Sequence, residues 1–526
     1  MVDVELEVEE DDAPSALALV AAQSPHHGVA HDDPGGVGPG EPVPVPAAAG
    51  PRPARSRTRR RVAVAAALAV VATAAGVATV VEDRRERERA AELAGLEGVV
   101  EPFAEPLGVT WRASTALGST TADDLVLRWQ ETPSGLELQA IDSATGVARW
   151  SAPRGPGDGV DWCDGAAEAD GTPVVVCWRV SPVPGTDADG DEETFEGVLV
   201  LLDAQDGGVI AEHPMALPSS GYGVLDGDVV LGYRDGGAAR VVRLDAAAGT
   251  PVWEREVPLT ARQLDGSYSA WLTVDAGLVL VQGATTFVLT PDGELLGTWD
   301  TTDSDAAGFS DARQGVQVDA TAEGFGVWAQ SLDRTGASDG TWYDRDGEEV
   351  AQVEGFLAEP AVSDGSAPHV LLTAPGTRFD LDATDLTTGE RLWTVPLEGG
   401  AVLVRRDGAA VAADGRRVFA VDLVTGEERW SVAVPGVRPD LGSVTDGERV
   451  LVLARDGGWV LQAVGLDGLP LWRTPVPASV AMPDVVPPGM PALWAIGSRA
   501  VTTNGQVLVG LAPGAAPPVD PLRSDP

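Results

Sequence analysis

From about residue 99 to residue 515, short apolar runs rich in Val, Leu and Trp alternate with Asp-Gly, Thr-Gly and Gly-Gly pairs. Such runs, bounded by glycine, predict strands and tight turns. The runs are also copies of one another. LQAIDSATGVARW (138–150), VVRLDAAAGTPVW (241–253), DATDLTTGERLW (382–393) and VFAVDLVTGEERW (418–430) share one skeleton. It reads apolar strand, Asp, three residues, Gly, three residues, Trp. Asp142, Gly146 and Trp150 recur as Asp245, Gly249 and Trp253, as Asp385, Gly389 and Trp393, and as Asp422, Gly426 and Trp430.

Weaker copies fill the gaps. LVLLDAQDGGVIA (199–211) keeps Asp203 and Gly207 but has Ala211 where Trp is expected. Three further copies use a shortened Asp-Gly turn at Gly293, Gly347 and Gly468. The eight turn glycines are spaced by 61, 42, 44, 54, 42, 37 and 42 residues. Five of these seven intervals match one four-stranded propeller blade. Eight turns predict an eight-bladed ring. Seven blades is the alternative, because the copies at 287–299 and 342–350 are degenerate. VTWRAS (109–114) and ALWAIGS (492–498) are candidate strands for closing the ring, which would otherwise leave an open edge.

The repeat chemistry reads as structural. Glycine takes the positive-φ position that turns one strand into the next. Asp accepts backbone N–H bonds within the turn. Trp packs between neighbouring sheets, with an indole N–H that needs a partner once buried.

The skeleton resembles the PQQ-like β-propeller repeat, whose blade ends in a strand, a D-x-x-T-G turn and a strand with Trp. The match is close at Asp142–Gly146, Asp385–Gly389 and Asp422–Gly426, each with Thr before Gly. The resemblance implies an all-β propeller over roughly residues 105–515. Its family holds quinoprotein alcohol and glucose dehydrogenases, and also a non-catalytic lipoprotein that assists β-barrel assembly. The alcohol dehydrogenases imply adjacent disulfide-linked cysteines over the quinone, Ca²⁺ held by Glu, Asn and Asp, and a catalytic Asp. This chain has no adjacent cysteine pair and one Asn, Asn504. Its propeller has two His, His213 and His369, which limits acid–base and metal chemistry. The expectation is a non-catalytic binding or scaffolding module for protein partners in the cell envelope. No catalytic residue and no cofactor are assigned, PQQ included. A PQQ-dependent dehydrogenase or another propeller enzyme is the alternative.

The first hundred residues differ in character. Residues 1–50 are acidic, then rich in Pro, Gly and Ala, and read as a disordered tail. RPARSRTRRR (52–61) carries six Arg and no acid, and residues 62–81 carry no charge. Twenty residues at a helical rise span roughly 30 Å, the hydrocarbon thickness of a bilayer. Nine of the twenty are Ala, so insertion is favoured by only about 3 kcal/mol. A single transmembrane helix is expected over 62–81, with a cleaved signal near Ala72–Ala75 as the alternative. The Arg cluster places residues 1–61 in the cytoplasm and the propeller outside. Residues 82–98 read as a charged juxtamembrane stalk, 99–515 as the propeller and 516–526 as a flexible tail.

Two features bear on the exported part. Cys163 and Cys177 lie 14 residues apart on what read as two strands of one hairpin, which suggests a disulfide. Two buried thiols in a reducing compartment is the alternative. In TDADGDEETFEG (186–197), Asp187, Asp189 and Asp191 alternate as Ca²⁺ ligands could, although a solvated acidic insertion is the simpler reading. The chain carries 80 acidic and 36 basic residues, for a net charge of −44, and every basic residue is Arg. That balance excludes nucleic acid as a partner and steers towards cationic ones. The absence of Lys excludes Schiff-base and phosphate-loop chemistry. The bias against Lys and Asn, with abundant Ala, Gly and Val, is that of a GC-rich, actinobacterial source.

Overall fold

The computed structural model describes residues 96–514, except residue 97 and several stretches between strands. The longest of these are 183–194, 259–270, 301–315, 330–338 and 478–490. The tail 1–61, the apolar segment 62–81, most of the 82–98 stalk and the tail 516–526 lie outside the described residues, as do Asp187, Asp189 and Asp191. Among the described residues no helix is long and apolar enough to cross a membrane.

Among the described residues the strands form nine sheets, the first eight each built on an antiparallel meander of four, with a fifth, parallel strand added to the seventh. We number them as blades. Blade one spans 119–153, two 162–216, three 221–258, four 271–300, five 316–354, six 356–396, seven 401–433 and eight 443–475. Blade nine takes three strands from 492–513 and its fourth, Leu107–Ser114, from the start of the propeller. First strands of neighbouring blades approach one another, which sets them around the axis.

Among the described residues, nine hydrophobic clusters hold the blades together, each shared by two neighbours. Leu127 and Val200 meet between blades one and two, and Val176 and Val242 between two and three. The series continues to Val501 and Val126, which join nine to one and complete the circle. Alternation along each strand produces this, because successive side chains face the two neighbouring blades in turn.

The eight blades expected, and the seven held as the alternative, are therefore corrected to nine. Eight Asp–Gly turns were the right number of third-to-fourth connections. The ninth blade has none, because its fourth strand comes from the other end of the chain and pairs Leu107 to Pro513 through Ser114 to Val507. Both candidate closing strands belong to this blade. ALWAIGS holds its first strand, Ala492–Ile496, and VTWRAS its fourth.

Candidate functional site

Five of the eight turn glycines of the repeat sit under an indole. Gly146 (φ 69°) donates its N–H to the Asp142 carbonyl, and Asp142 Oδ1 also accepts the Thr145 N–H at 2.8 Å. Asp245, Asp385 and Asp422 make the same kind of turn, accepting from Ala248, Thr387 and Thr425 at 2.7, 2.7 and 2.9 Å. The Trp four residues after each glycine then reaches the next blade's turn. Trp150 donates its indole N–H to the Ala204 carbonyl at 3.0 Å, Trp253 to Pro291 at 2.8 Å, Trp393 to Leu423 at 2.8 Å and Trp430 to Leu466 at 2.8 Å. The repeat tryptophans thus bind blade to blade.

The circuit closes through two more indoles, one from the repeat copy that turns at Gly468 and one from the closing strand VTWRAS. Trp111, on the strand lent to blade nine, donates to the Ser143 carbonyl of blade one at 2.7 Å. Trp472 of blade eight donates to the Phe103 carbonyl at 2.9 Å, and Phe103 stands edge-on to its ring. Phe103 thereby occupies the place of the turn that blade nine lacks.

The cysteines are joined. Cys163 and Cys177 are direct partners on the first two strands of blade two, with Cα atoms 4.0 Å apart, and form a disulfide.

At the end of the ring with the first-to-second-strand turns, the chain's own backbone pairs with two of the inner edges. Between its first two strands, blade six sends out an insertion whose Val362–Ser363 pairs in parallel with Val404–Arg405, on the inner edge of blade seven. Val99 bridges in parallel to Thr445 on the inner edge of blade eight. Leu96, Val99 and Val362 pack together. The chain then runs outward, with the Phe103 N–H on Asp446 Oδ2 (2.9 Å) and Glu101 paired to Arg499 (2.6 Å), and becomes the fourth strand of blade nine.

Beside this plug lies a cavity of about 380 Å³, whose lining includes Leu96, Glu323, Trp342, Glu359, Asp364 and Arg405. Asp275 and Asp319, from the first strands of blades four and five, add to its charge. Glu359 keeps contact with solvent. Even so, the surrounding protein first, and then the charges of Asp275, Asp319 and Glu323, push its carboxyl up to about 7. Burial likewise raises Asp319, against the amide of Gln317, with Asp275 repelling it further. Across the pocket, burial draws the Arg405 guanidinium below its ordinary value, and its Nε donates to the Ser366 carbonyl at 2.7 Å.

This arrangement concentrates negative potential and can exchange a proton near neutrality. Among the described residues no group of three or more His, Cys, Asp or Glu gathers closely enough to hold a metal ion. The two histidines stand apart. His213 lies against Gly249 of blade three, and the His369 carbonyl accepts the Leu386 N–H. Sequence reasoning did not find the axial residues. Asp275, Asp319, Glu323, Glu359 and Arg405 come from four blades and share no local motif. Their one signal is an acidic residue in or just after a first strand, as in WLTVDAG and VQVDATAEG.

Residues 377–515 match the family model described as outer membrane protein assembly factor BamB. No curated protein matches the sequence. Among solved structures, the chain is similar to BamB from Moraxella catarrhalis, at 17% identity and a TM-score of 0.34, over 63% of this chain and 95% of that one. It is similar to the quinohemoprotein alcohol dehydrogenase of Comamonas testosteroni, at 14% identity and a TM-score of 0.38, over 81% and 80%. A europium-containing methanol dehydrogenase is similar at 13% identity and a TM-score of 0.37, over 79% and 95%.

Proposed function

We propose that this chain is a membrane-anchored, extracytoplasmic propeller that acts as a non-catalytic binding or scaffolding module for protein partners in the cell envelope. The observation that carries the proposal is the axial plug. The inner edges of blades seven and eight are paired with the chain's own residues 362–363 and 99, so backbone covers part of the inner surface that a propeller ligand would use. The ring's rim is left for partners. The Cys163–Cys177 disulfide, the Arg-fronted apolar segment 62–81 and the assembly-factor family matched by residues 377–515 support an envelope role.

Calorimetric titration of the full-length protein with PQQ and Ca²⁺ tests the non-catalytic reading. No saturable binding is expected, and tight quinone binding would overturn it. Thiol labelling of intact cells with and without reductant tests export. Labelling should appear only after reduction, from outside, and free thiols shielded inside the cell would contradict the proposed topology.

A further inference from the structure

The first strand of blade six is cut short. It runs for two residues, Phe356–Leu357, where the other first strands run for three to eight. Its register against the second strand pairs Phe356 with Ala374 and Leu357 with Thr373. One more backbone bond follows, from the Ala358 N–H to the Leu372 carbonyl at 2.9 Å. Continued by two residues, the same register sets Pro360 opposite Val370, and proline has no N–H to give. The chain leaves the blade there. It crosses to blade seven, where Val362–Ser363 pair with Val404–Arg405 and Asp364 Oδ2 accepts the Asp407 N–H at 2.8 Å. Residues 358–361 thus form an arm between two anchored ends.

The arm carries Glu359 at the cavity of about 380 Å³ described above, whose apolar wall includes Trp342, Leu357, Leu371 and Leu372. Among the described residues Glu359 makes no hydrogen bond and no ion pair. Three carboxylates act on it from blades four and five: Asp275, Asp319 and Glu323. Each of these is tied to its own or the next blade. Asp275 Oδ2 accepts the Ala320 N–H at 3.1 Å, Asp319 the Gln317 amide at 3.0 Å and Glu323 the Thr321 hydroxyl at 2.8 Å. The cations at hand are taken up by carbonyls. Arg345 donates to those of Ala276 and Ala322, and Arg405 to those of Ser366 and Ala367. Asp364, the next acid along the chain, accepts the Ser366 and Asp407 N–H groups. Of the four facing carboxyls, Glu359 is the one free to move away.

We propose that residues 358–361 are a gate over this cavity, latched while Glu359 holds a proton and released when it gives the proton up. Protonated, Glu359 brings no charge to the three acids, and the arm lies across the cavity. Ionised, it adds a fourth negative charge with no cation paired to it, and the arm swings outward between its two anchored ends. The surrounding charges set the working range. Burial first, and then Asp275, Asp319 and Glu323, push the carboxyl up to about 7 with the gate shut, against an ordinary 4.5 once it swings into water. The shut state therefore binds the proton more tightly. Closure is favoured in acid, and that preference is lost as the pH climbs through about 7. Opening uncovers the wall formed by Trp342, Leu371 and Leu372. The gate does not depend on what the ring holds elsewhere.

The test is hydrogen–deuterium exchange of the full-length protein at pH 6 and pH 8, with rates corrected for the intrinsic pH dependence of amide exchange. Protection at Ala358 reports the gate, because its N–H bonds to Leu372. A carboxyl that titrates at 4.5 when open and at about 7 when shut predicts about tenfold less protection at pH 8 than at pH 6. Peptides from 409–433 of blade seven should keep theirs, which separates a local opening from a loosening of the whole ring. Glu359→Gln should hold the protection at both pH values, and Asp319→Asn, which removes one facing charge, should shrink the loss. Equal corrected protection at the two pH values in the unaltered protein, or the same loss in Glu359→Gln, would overturn the gate. So would a loss shared equally by 409–433.

Discussion

A single indole carries a measurable share of this fold. Trp393 is 9% exposed and closes the blade six–seven interface through the Leu423 carbonyl. Trp393→Ala removes that contact and leaves a cavity, and should lower stability by about 3 kcal/mol in denaturant unfolding. Glu359 acts in the opposite sense. Its carboxyl titrates at about 7 in the folded protein against an ordinary value of 4.5, so the folded state holds the proton more tightly. That contribution to stability is complete below about pH 4.5 and is lost as the pH rises to about 7. Glu359→Gln should therefore match the parent in acid and exceed it at pH 8, as read by thermal unfolding at the two values. The repeat residues were legible in the sequence because Asp, Gly and Trp act within nine residues of chain. His213 was not, since a place six rather than four residues after the turn glycine keeps the strand face but breaks the spacing that identified the motif.

Strands and turns were legible because period and glycine punctuation are local signals. Closure was not. The fourth strand of blade nine joins residues 107–114 to 507–513, and only the tertiary fold brings them together. The parallel strand at Val362–Ser363 was equally hidden, being two residues long and paired with the next blade. The hairpin of blade two shows the converse case. Cys163 and Cys177 were read as facing residues, and they are direct partners joined by a disulfide. Replacing both with Ser should cost about 3 kcal/mol on the chain-entropy estimate. Unfolding of the oxidised protein with and without reductant should show the same difference, which the double variant would lack.

At the scale of the molecule, a repeat ring has a stability built from neighbour contacts, and its closing contact is made by the segment that also pairs with the inner edge of blade eight. Val99 and Phe103 touch blade eight, Glu101 blade nine and Trp111 blade one. One stretch of chain thus ties three blades together and completes the circle. On the proposed function, the ring holds protein partners. Its direct test is photo-crosslinking of the full-length protein in its native envelope, followed by mass spectrometry of the adducts. The account predicts a small, reproducible set of envelope proteins, captured less efficiently as salt screens the acidic surface. A diffuse background of abundant proteins, unchanged by salt, would contradict it.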